Sequence, residues 1–175
     1  MHSYECPLGP LRLKVTAEHN QLLRFCSNGQ PVEISQLAPN DLVVFYAGLR
    51  SIRNDYRLIY ALIGLYVVEN IVMAIDVPPS QRGTNAHTRK LKIGSPDIVV
   101  WGKESISGRL TEFLPIGEWR NRAYRVKPEL LKVWGGLKVK DGYIQRSGTP
   151  PSFCAPDKFY RWFLDQKPQL IARNN

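Results

Sequence analysis

The longest apolar run of the chain, residues 58–75, constrains the fold more than any other feature of the sequence. Glu69 and Asn70 interrupt it, and the uninterrupted part is shorter than the ~20 apolar residues that a membrane-spanning helix needs. The run is rich in Ile, Val and Tyr, which favour strands. Residues 57–71 are therefore predicted to form one long strand, with Gly64 at a bulge or a tight barrel bend.

Three shorter segments predict further strands, so the overall pattern is mostly β. Residues 41–46 read Asp-Leu-Val-Val-Phe-Tyr, and residues 97–101 read Asp-Ile-Val-Val-Trp. Both combine β-branched and aromatic residues, as expected of short buried strands. Residues 138–144 form a weaker candidate around the turn signal Asp141-Gly142.

Two segments predict helices. Over residues 156–166 the pattern is that of an amphipathic helix, because Phe159, Trp162 and Phe163 fall on one face. A second helix is predicted over residues 127–134, which has a proline in its first turn and is followed by two glycines. With the strands, these elements predict a single α+β domain spanning the chain.

Composition indicates a soluble globular protein that needs neither a metal nor a cofactor. The chain has 175 residues, of which 43% are hydrophobic and 22% charged, and a chain of this length buries roughly 70% of its unfolded surface. The three cysteines are unevenly spaced and favour a reducing compartment. His2, Cys6, His19 and Cys26 match no familiar metal-site spacing. The first residues do not resemble a signal peptide, so we expect a cytoplasmic location.

The charge of the chain favours polyanionic partners. The formal net charge is +9 and the sequence pI is about 9.6. Residues 121–175 carry 11 Lys or Arg against 4 Asp or Glu, so a net +7 lies in the last third. A second basic group lies in the middle of the chain, at Arg82, Arg89, Lys90 and Lys92.

The enzyme signatures that the sequence allows us to test are absent. Gly102-Lys103 is followed by Glu104, where a phosphate-binding P-loop needs Ser or Thr. There is no G-x-S-x-G elbow, no H-E-x-x-H helix and no paired Cys/His ligand set. The sequence therefore favours a binding protein over an enzyme.

Residues 45–50 end a predicted strand and form the first candidate segment for ligand contacts. Tyr46 could offer a stacking face for a base, and Arg50 a phosphate contact. In the alternative interpretation, Phe45 and Tyr46 straddle the sheet, with one in the core and the other at its edge.

Residues 84–90 form a second candidate segment, a polar loop between two strands. The Asn85 amide can pair with the edge of a base, and Arg89 can hold an adjacent phosphate. His87 could carry a proton near neutral pH. A structural hydrogen bond is the alternative role for His87.

Two further segments complete the candidate site. Trp101 ends a predicted strand and either stacks on a base or fills the core. In the loop that follows, Lys103, Ser107 and Arg109 are candidate phosphate contacts. Arg146 lies in a proline-stiffened polar turn that is either a backbone clamp or an ordinary surface loop.

The order of these segments resembles a known family. The residues that carry the resemblance span about residues 29–153 and comprise residues 41–49, 60–69, 85–89, 99–102, 107–110 and 145–147. Together they resemble the nucleotide modification associated domains, in particular the third type. More distantly, they are similar to PUA-like domains, which include the EVE, YTH and ASCH domains.

The resemblance implies a small, partly open PUA-like mixed β-barrel with a few helices packed around it. It also implies association with modified bases, because EVE and YTH domains hold a base in an aromatic pocket. Carried over to this chain, the base-pocket residues are Tyr46, Asn85, His87 and Trp101. The phosphate contacts are Arg109 and Arg146, supported by Ser107 and Arg89.

The leading hypothesis is a nucleic-acid-binding module that captures a modified or flipped-out base of DNA or RNA, without a membrane contact. A nuclease or a modification enzyme is the expected protein partner. The first alternative is an enzyme of base modification, with His87 as general base and Lys103, Arg109 and Arg146 holding an anionic substrate. The second alternative is a ribonucleoprotein component that packs on structured RNA.

Overall fold

The computed structural model describes residues 36–50, 58–84, 88, 98–145 and 151–171, together with the backbone of residues 21–23. The strands are β1 (Gln21–Leu23), β2 (Leu42–Arg50), β3 (Leu58–Met73), β4 (Ile98–Gly102), β5 (Gly108–Pro115), β6 (Gly117–Arg120), β7 (Ala123–Val126) and β8 (Leu170–Ile171). The helices are α1 (Pro128–Trp134) and α2 (Pro156–Asp165). Short 3-10 helices cover Ala74–Asp76, Pro79–Thr84 and Lys140–Gly142.

The long strand β3 organises the main sheet. Its first part pairs antiparallel with β2 and β5, and its last part pairs with β4. The register with β5 shifts between Leu62 and Gly64, which confirms the predicted bulge. A Cβ atom on Gly64 would lie 2.9 Å from the carbonyl oxygen of Gly108, so the close approach of β5 requires glycine here.

The α+β class is confirmed, whereas the expected partly open, PUA-like β-barrel is not. The described strands form an open sheet in the order β1-β2-β3-β5-β8, with β4 attached to β3. A barrel closes only when its first and last strands pair. Here the chain after β5 leaves the sheet as the separate β6–β7 hairpin, and the strand added beside β5 is the two-residue β8.

One face of the sheet carries most of the core. Side chains from β2 and β3, among them Val44, Leu62 and Leu65, pack in one cluster with aromatic residues of the helical layer. In that layer Trp134, Phe153, Phe159 and Phe163 are all buried. A smaller cluster of Leu37, Val43 and Val68 forms elsewhere in the described sheet. The helices therefore cover the sheet on one side and anchor the segments that follow β7.

Most predicted elements are confirmed. β2, β3 and β4 match the three strand predictions, and α1 and α2 match the two helices. α1 begins at Pro128 and ends at Trp134, and the next residue, Gly135, has a φ of 77° in the left-handed region that suits glycine.

The strand predicted over residues 138–144 is wrong. That segment contains the 3-10 helix Lys140–Gly142, in which Asp141 and Gly142 have φ values of 53° and 65°. Two consecutive residues with positive φ cannot continue a pleated strand. In the part of the chain that the structure describes, no helix is long and apolar enough to cross a membrane.

Candidate nucleic-acid interface

The structure places Tyr46 in the hydrophobic core. Its side chain is 1% exposed, and its hydroxyl donates a hydrogen bond to the carbonyl oxygen of Ile144 at 3.0 Å. Burial, and to a smaller degree the charges of Tyr60 and Tyr143, raise the pKa of the Tyr46 phenol. Phe45 packs in a different cluster, so the two neighbours straddle the sheet. The predicted stacking role of Tyr46 is therefore corrected to a structural one.

Trp101 is partly buried on β4 and does not lie in the cluster that holds Tyr46. It packs against the cluster of Ala74, Val77 and Val99. Trp101 therefore contributes to hydrophobic packing in this structure. The structure thus does not bring these two predicted pocket residues together. The other two predicted pocket residues, Asn85 and His87, lie outside the described residues.

Ser107 is also a structural residue. Its side chain is buried, and its hydroxyl accepts a hydrogen bond from the Val67 N–H at 3.0 Å and donates one to the Val67 carbonyl at 3.3 Å. These bonds connect the start of β5 to β3. The hydroxyl is thus already satisfied, and the predicted phosphate contact of Ser107 is corrected accordingly.

The remaining predicted phosphate contacts are spread along the sheet. Arg50 is exposed at the end of β2, and Arg109 is partly exposed on β5. The Lys103 ammonium donates to the side chain of Asn40, and so joins the β4–β5 turn to the turn before β2. Arg89 and Arg146 lie outside the described residues.

The β6–β7 hairpin was not predicted from the sequence, and it carries the most exposed aromatic ring among the described residues. Its two-residue turn consists of Asn121 and Arg122, with φ values of 51° and 61°, as in the type I′ turns that match the twist of a hairpin. A Cβ atom on Gly117 would lie only 2.6 Å from the Cβ of Tyr60. Glycine here lets the base of the hairpin pack directly on β3.

A row of aromatic rings runs from the core to the surface along one face of this hairpin. Ring centroids are 6.2 Å apart for Tyr46 and Tyr60, 4.8 Å for Tyr60 and Tyr124, and 5.0 Å for Tyr124 and Trp119. Trp119 and Tyr124 are directly opposite each other in the register. Trp119 ends the row with 60% of its surface exposed, so a large apolar ring is held in solvent.

The opposite face of the hairpin is fixed by the carboxylate of Asp141. The Arg120 guanidinium donates to both carboxylate oxygens, at 2.6 and 2.7 Å, and Asn121 donates at 3.2 Å. Arg125 forms a further ion pair at 3.5 Å. The hydrogen bond from Arg120 is the main reason that the pKa of Asp141 lies below its ordinary value of 3.8. We call β6, β7, the turn between them and the 3-10 helix Lys140–Gly142 the hairpin unit.

The acidic groups of the hairpin unit are paired internally, whereas several cations on it and next to it are not. Glu118 and Asp141 both pair with Arg120. By contrast, no salt bridge joins an acidic group in the described part of the chain to Arg122, Lys127, Lys138 or Lys140. The Nη1 atom of Arg125 donates to the Lys140 carbonyl at 3.0 Å, so the backbone of Lys140 is held against the hairpin. The unit therefore presents excess positive charge to solvent.

A shallow groove of about 380 Å³ lies away from these residues. It is lined by Leu37, Pro39, Asn70, Ile71, Val72, Met73 and Ile98. Its mostly apolar lining contains none of the predicted site residues and no titratable group. Within the described residues, no group of three or more His, Cys, Asp or Glu is arranged to hold a metal ion. The residues His2, Cys6, His19 and Cys26 lie outside that part of the chain.

Comparisons of the chain with models of protein families, with curated proteins and with solved structures found no match. Function must therefore be inferred from the chemistry of the chain itself. Among the described residues, the hairpin unit offers the clearest combination of unpaired charge and exposed aromatic surface.

Proposed function

We propose that the chain is a nucleic-acid-binding module and that the hairpin unit is its contact surface. The observation that carries this proposal is the internal pairing of the unit's acids while its cations face solvent. Glu118 and Asp141 both pair with Arg120, and Asp141 also pairs with Arg125, so Arg122 and Lys140 present charge that no nearby carboxylate cancels within the described residues. Such a surface attracts a polyanion and repels other basic proteins.

Phosphate contacts by Lys and Arg account for most of the sequence-independent affinity of nucleic-acid-binding proteins. The net charge of +9 supplies long-range attraction. The exposed aromatic ring on the same hairpin favours nucleic acid over other polyanions, since bases can stack on it and sulfated sugars cannot stack in the same way.

A finer proposal depends on the order of the sequence segments alone. We propose a PUA-like relationship and recognition of a modified or flipped-out base by Asn85, His87 and Arg89, with Arg146 as a phosphate contact. Tyr46 and Ser107 are no longer part of this site because both are buried and hydrogen-bonded. A nuclease or modification enzyme remains the proposed partner.

The test is the salt dependence of binding, measured by fluorescence anisotropy with a labelled random-sequence oligonucleotide. If the four unpaired cations contact phosphates, the slope of log Kd against log salt should be about 3 for a single strand. The double variant Arg122→Glu/Lys140→Glu should lower that slope by about 1.4 and weaken binding at every salt concentration.

The matched control is Lys158→Glu on α2, an exposed position where the same charge change is made outside the hairpin unit. It should weaken binding much less than either hairpin substitution alone. Equal weakening by the control and the hairpin variants would show that only overall charge matters. A flat salt dependence in the unmodified protein would contradict nucleic-acid binding through phosphates.

A further inference from the structure

The exposed ring of Trp119 is held in place by packing against other aromatic rings. Its ring packs against Tyr124 at an interplanar angle of 71°, and Tyr124 packs against the buried Tyr60. The hairpin that carries it is fixed on the other face by Asp141. Little conformational freedom is left to lose when a ligand contacts the indole, which favours binding.

The two faces of the hairpin carry different chemistry. Trp119 and Tyr124 form a directly opposed pair on one face, and Glu118 and Arg125 form the next such pair, on the opposite face. Arg122 lies in the turn, where the two faces meet. A chain that crosses the hairpin tip can therefore place a base on the indole and a phosphate near the Arg122 guanidinium.

From this geometry we infer that the hairpin unit selects unpaired nucleotides by stacking one base on Trp119. In a duplex both faces of each base are covered by its neighbours, so an indole can stack only after a base is displaced. An unpaired base already has a free face, and aromatic stacking of this kind tolerates any sequence. This inference rests on the proposed function and specifies its substrate as single-stranded or locally unpaired nucleic acid.

The experiment compares two labelled oligonucleotides of about ten nucleotides, a length within the site sizes of single-strand binders. One carries ordinary bases, and the other has the same backbone with abasic sites throughout. The full chain should bind the ordinary strand about 5- to 150-fold more tightly, which is the range that stacking of one base provides. An ordinary duplex should bind more weakly than the ordinary single strand.

Three variants separate stacking from charge. Trp119→Ala should bind both strands equally while the salt slope stays unchanged, because the indole carries no charge. Trp119→Phe should restore part of the preference for the ordinary strand. Leu164→Ala is the control, since it also truncates an exposed apolar residue, on α2, and should leave both affinities unchanged.

The possible failures are distinguishable. Salt-dependent binding without a preference for ordinary over abasic strands would overturn the stacking inference and leave the proposed function intact. If, in addition, Trp119→Ala bound both strands with the same affinities as the unmodified protein, the indole would serve a protein contact instead. Absence of binding to every oligonucleotide would overturn both the inference and the proposed function.

Discussion

Replacing Gly117 by alanine tests whether the hairpin unit is packed on the sheet as described. The added Cβ would lie 2.6 Å from the Tyr60 Cβ and 3.2 Å from the Ile144 Cδ1. Ordinary contact between such carbons begins near 3.4 Å, so the hairpin must move outward by most of an ångström. The Tyr60 Cβ is attached directly to the backbone of β3 and cannot rotate away.

Overpacking of this kind typically costs about 1–3 kcal/mol. For a chain of this size, each kcal/mol lowers Tm by about 2–4 °C, so Gly117→Ala should lower Tm by roughly 2–12 °C. The displacement also separates Tyr124 from Tyr60, so binding of a single strand should weaken. The free energy of unfolding in urea and the thermal midpoint give two independent measurements.

Gly83→Ala is the matched control, because a Cβ there would meet no atom of the described residues within 4 Å. Without a clash, the substitution should be neutral or should stabilise the protein by up to about 1 kcal/mol. If Gly117→Ala were as stable as Gly83→Ala, the close packing of the hairpin on β3 would be refuted.

The other predictions concern side chains with assigned structural roles. Tyr46→Phe removes the hydrogen bond to the Ile144 carbonyl and should lower the free energy of unfolding in urea by about 1 kcal/mol, with nucleic-acid affinity unchanged. Weaker nucleic-acid binding without a loss of stability would show that Tyr46 contacts the ligand after all. Ser107→Ala should likewise cost about 1–3 kcal/mol, because the buried Val67 N–H loses its partner, whereas the Val67 carbonyl keeps the Lys103 N–H at 2.8 Å; again affinity should not change. The lowered pKa of Asp141 means that its contribution to stability is fully present above pH 3.8 and is lost as the pH falls through the lower folded value. Thermal unfolding of Asp141→Asn should therefore differ from that of the unmodified protein at pH 6 and converge with it at strongly acidic pH; a constant difference would contradict the ion-pair role.

The elements found from sequence are those specified by local patterns. Residues 57–71 are rich in Ile, Val and Tyr, and α1 has a proline at its start and a glycine just after its end. Both signals lie within a single segment. Closure of a barrel, by contrast, depends on pairing between distant strands, and no local pattern specifies whether β5 pairs with β8 or with β1.

The hairpin was missed because its strands have only four residues each. They also contain two arginines, a residue type that usually indicates a solvent-facing position. Those arginines in fact face Asp141, about twenty positions later in the chain. The alternation of residues on either side of Asn121, a residue that tolerates positive φ, was the available signal.

Tyr46 and Ser107 were misassigned for a similar reason. A tyrosine at a strand end suits a stacking site and a core position equally well. What decides between them for Tyr46 is a carbonyl group 98 positions away, at Ile144. For Ser107 it is a backbone segment 40 positions away, at Val67.

Photochemical crosslinking is the most direct test of the hairpin unit as the nucleic-acid contact. An oligonucleotide crosslinked to the full chain with ultraviolet light, followed by digestion and mass spectrometry, identifies the peptides that touch it. Crosslinked nucleotides should concentrate on the peptide that contains Trp119 and Arg122, and competition with unlabelled single strand should remove them. Crosslinks confined to α2 or to the groove beside β4, with none on the hairpin, would contradict the account.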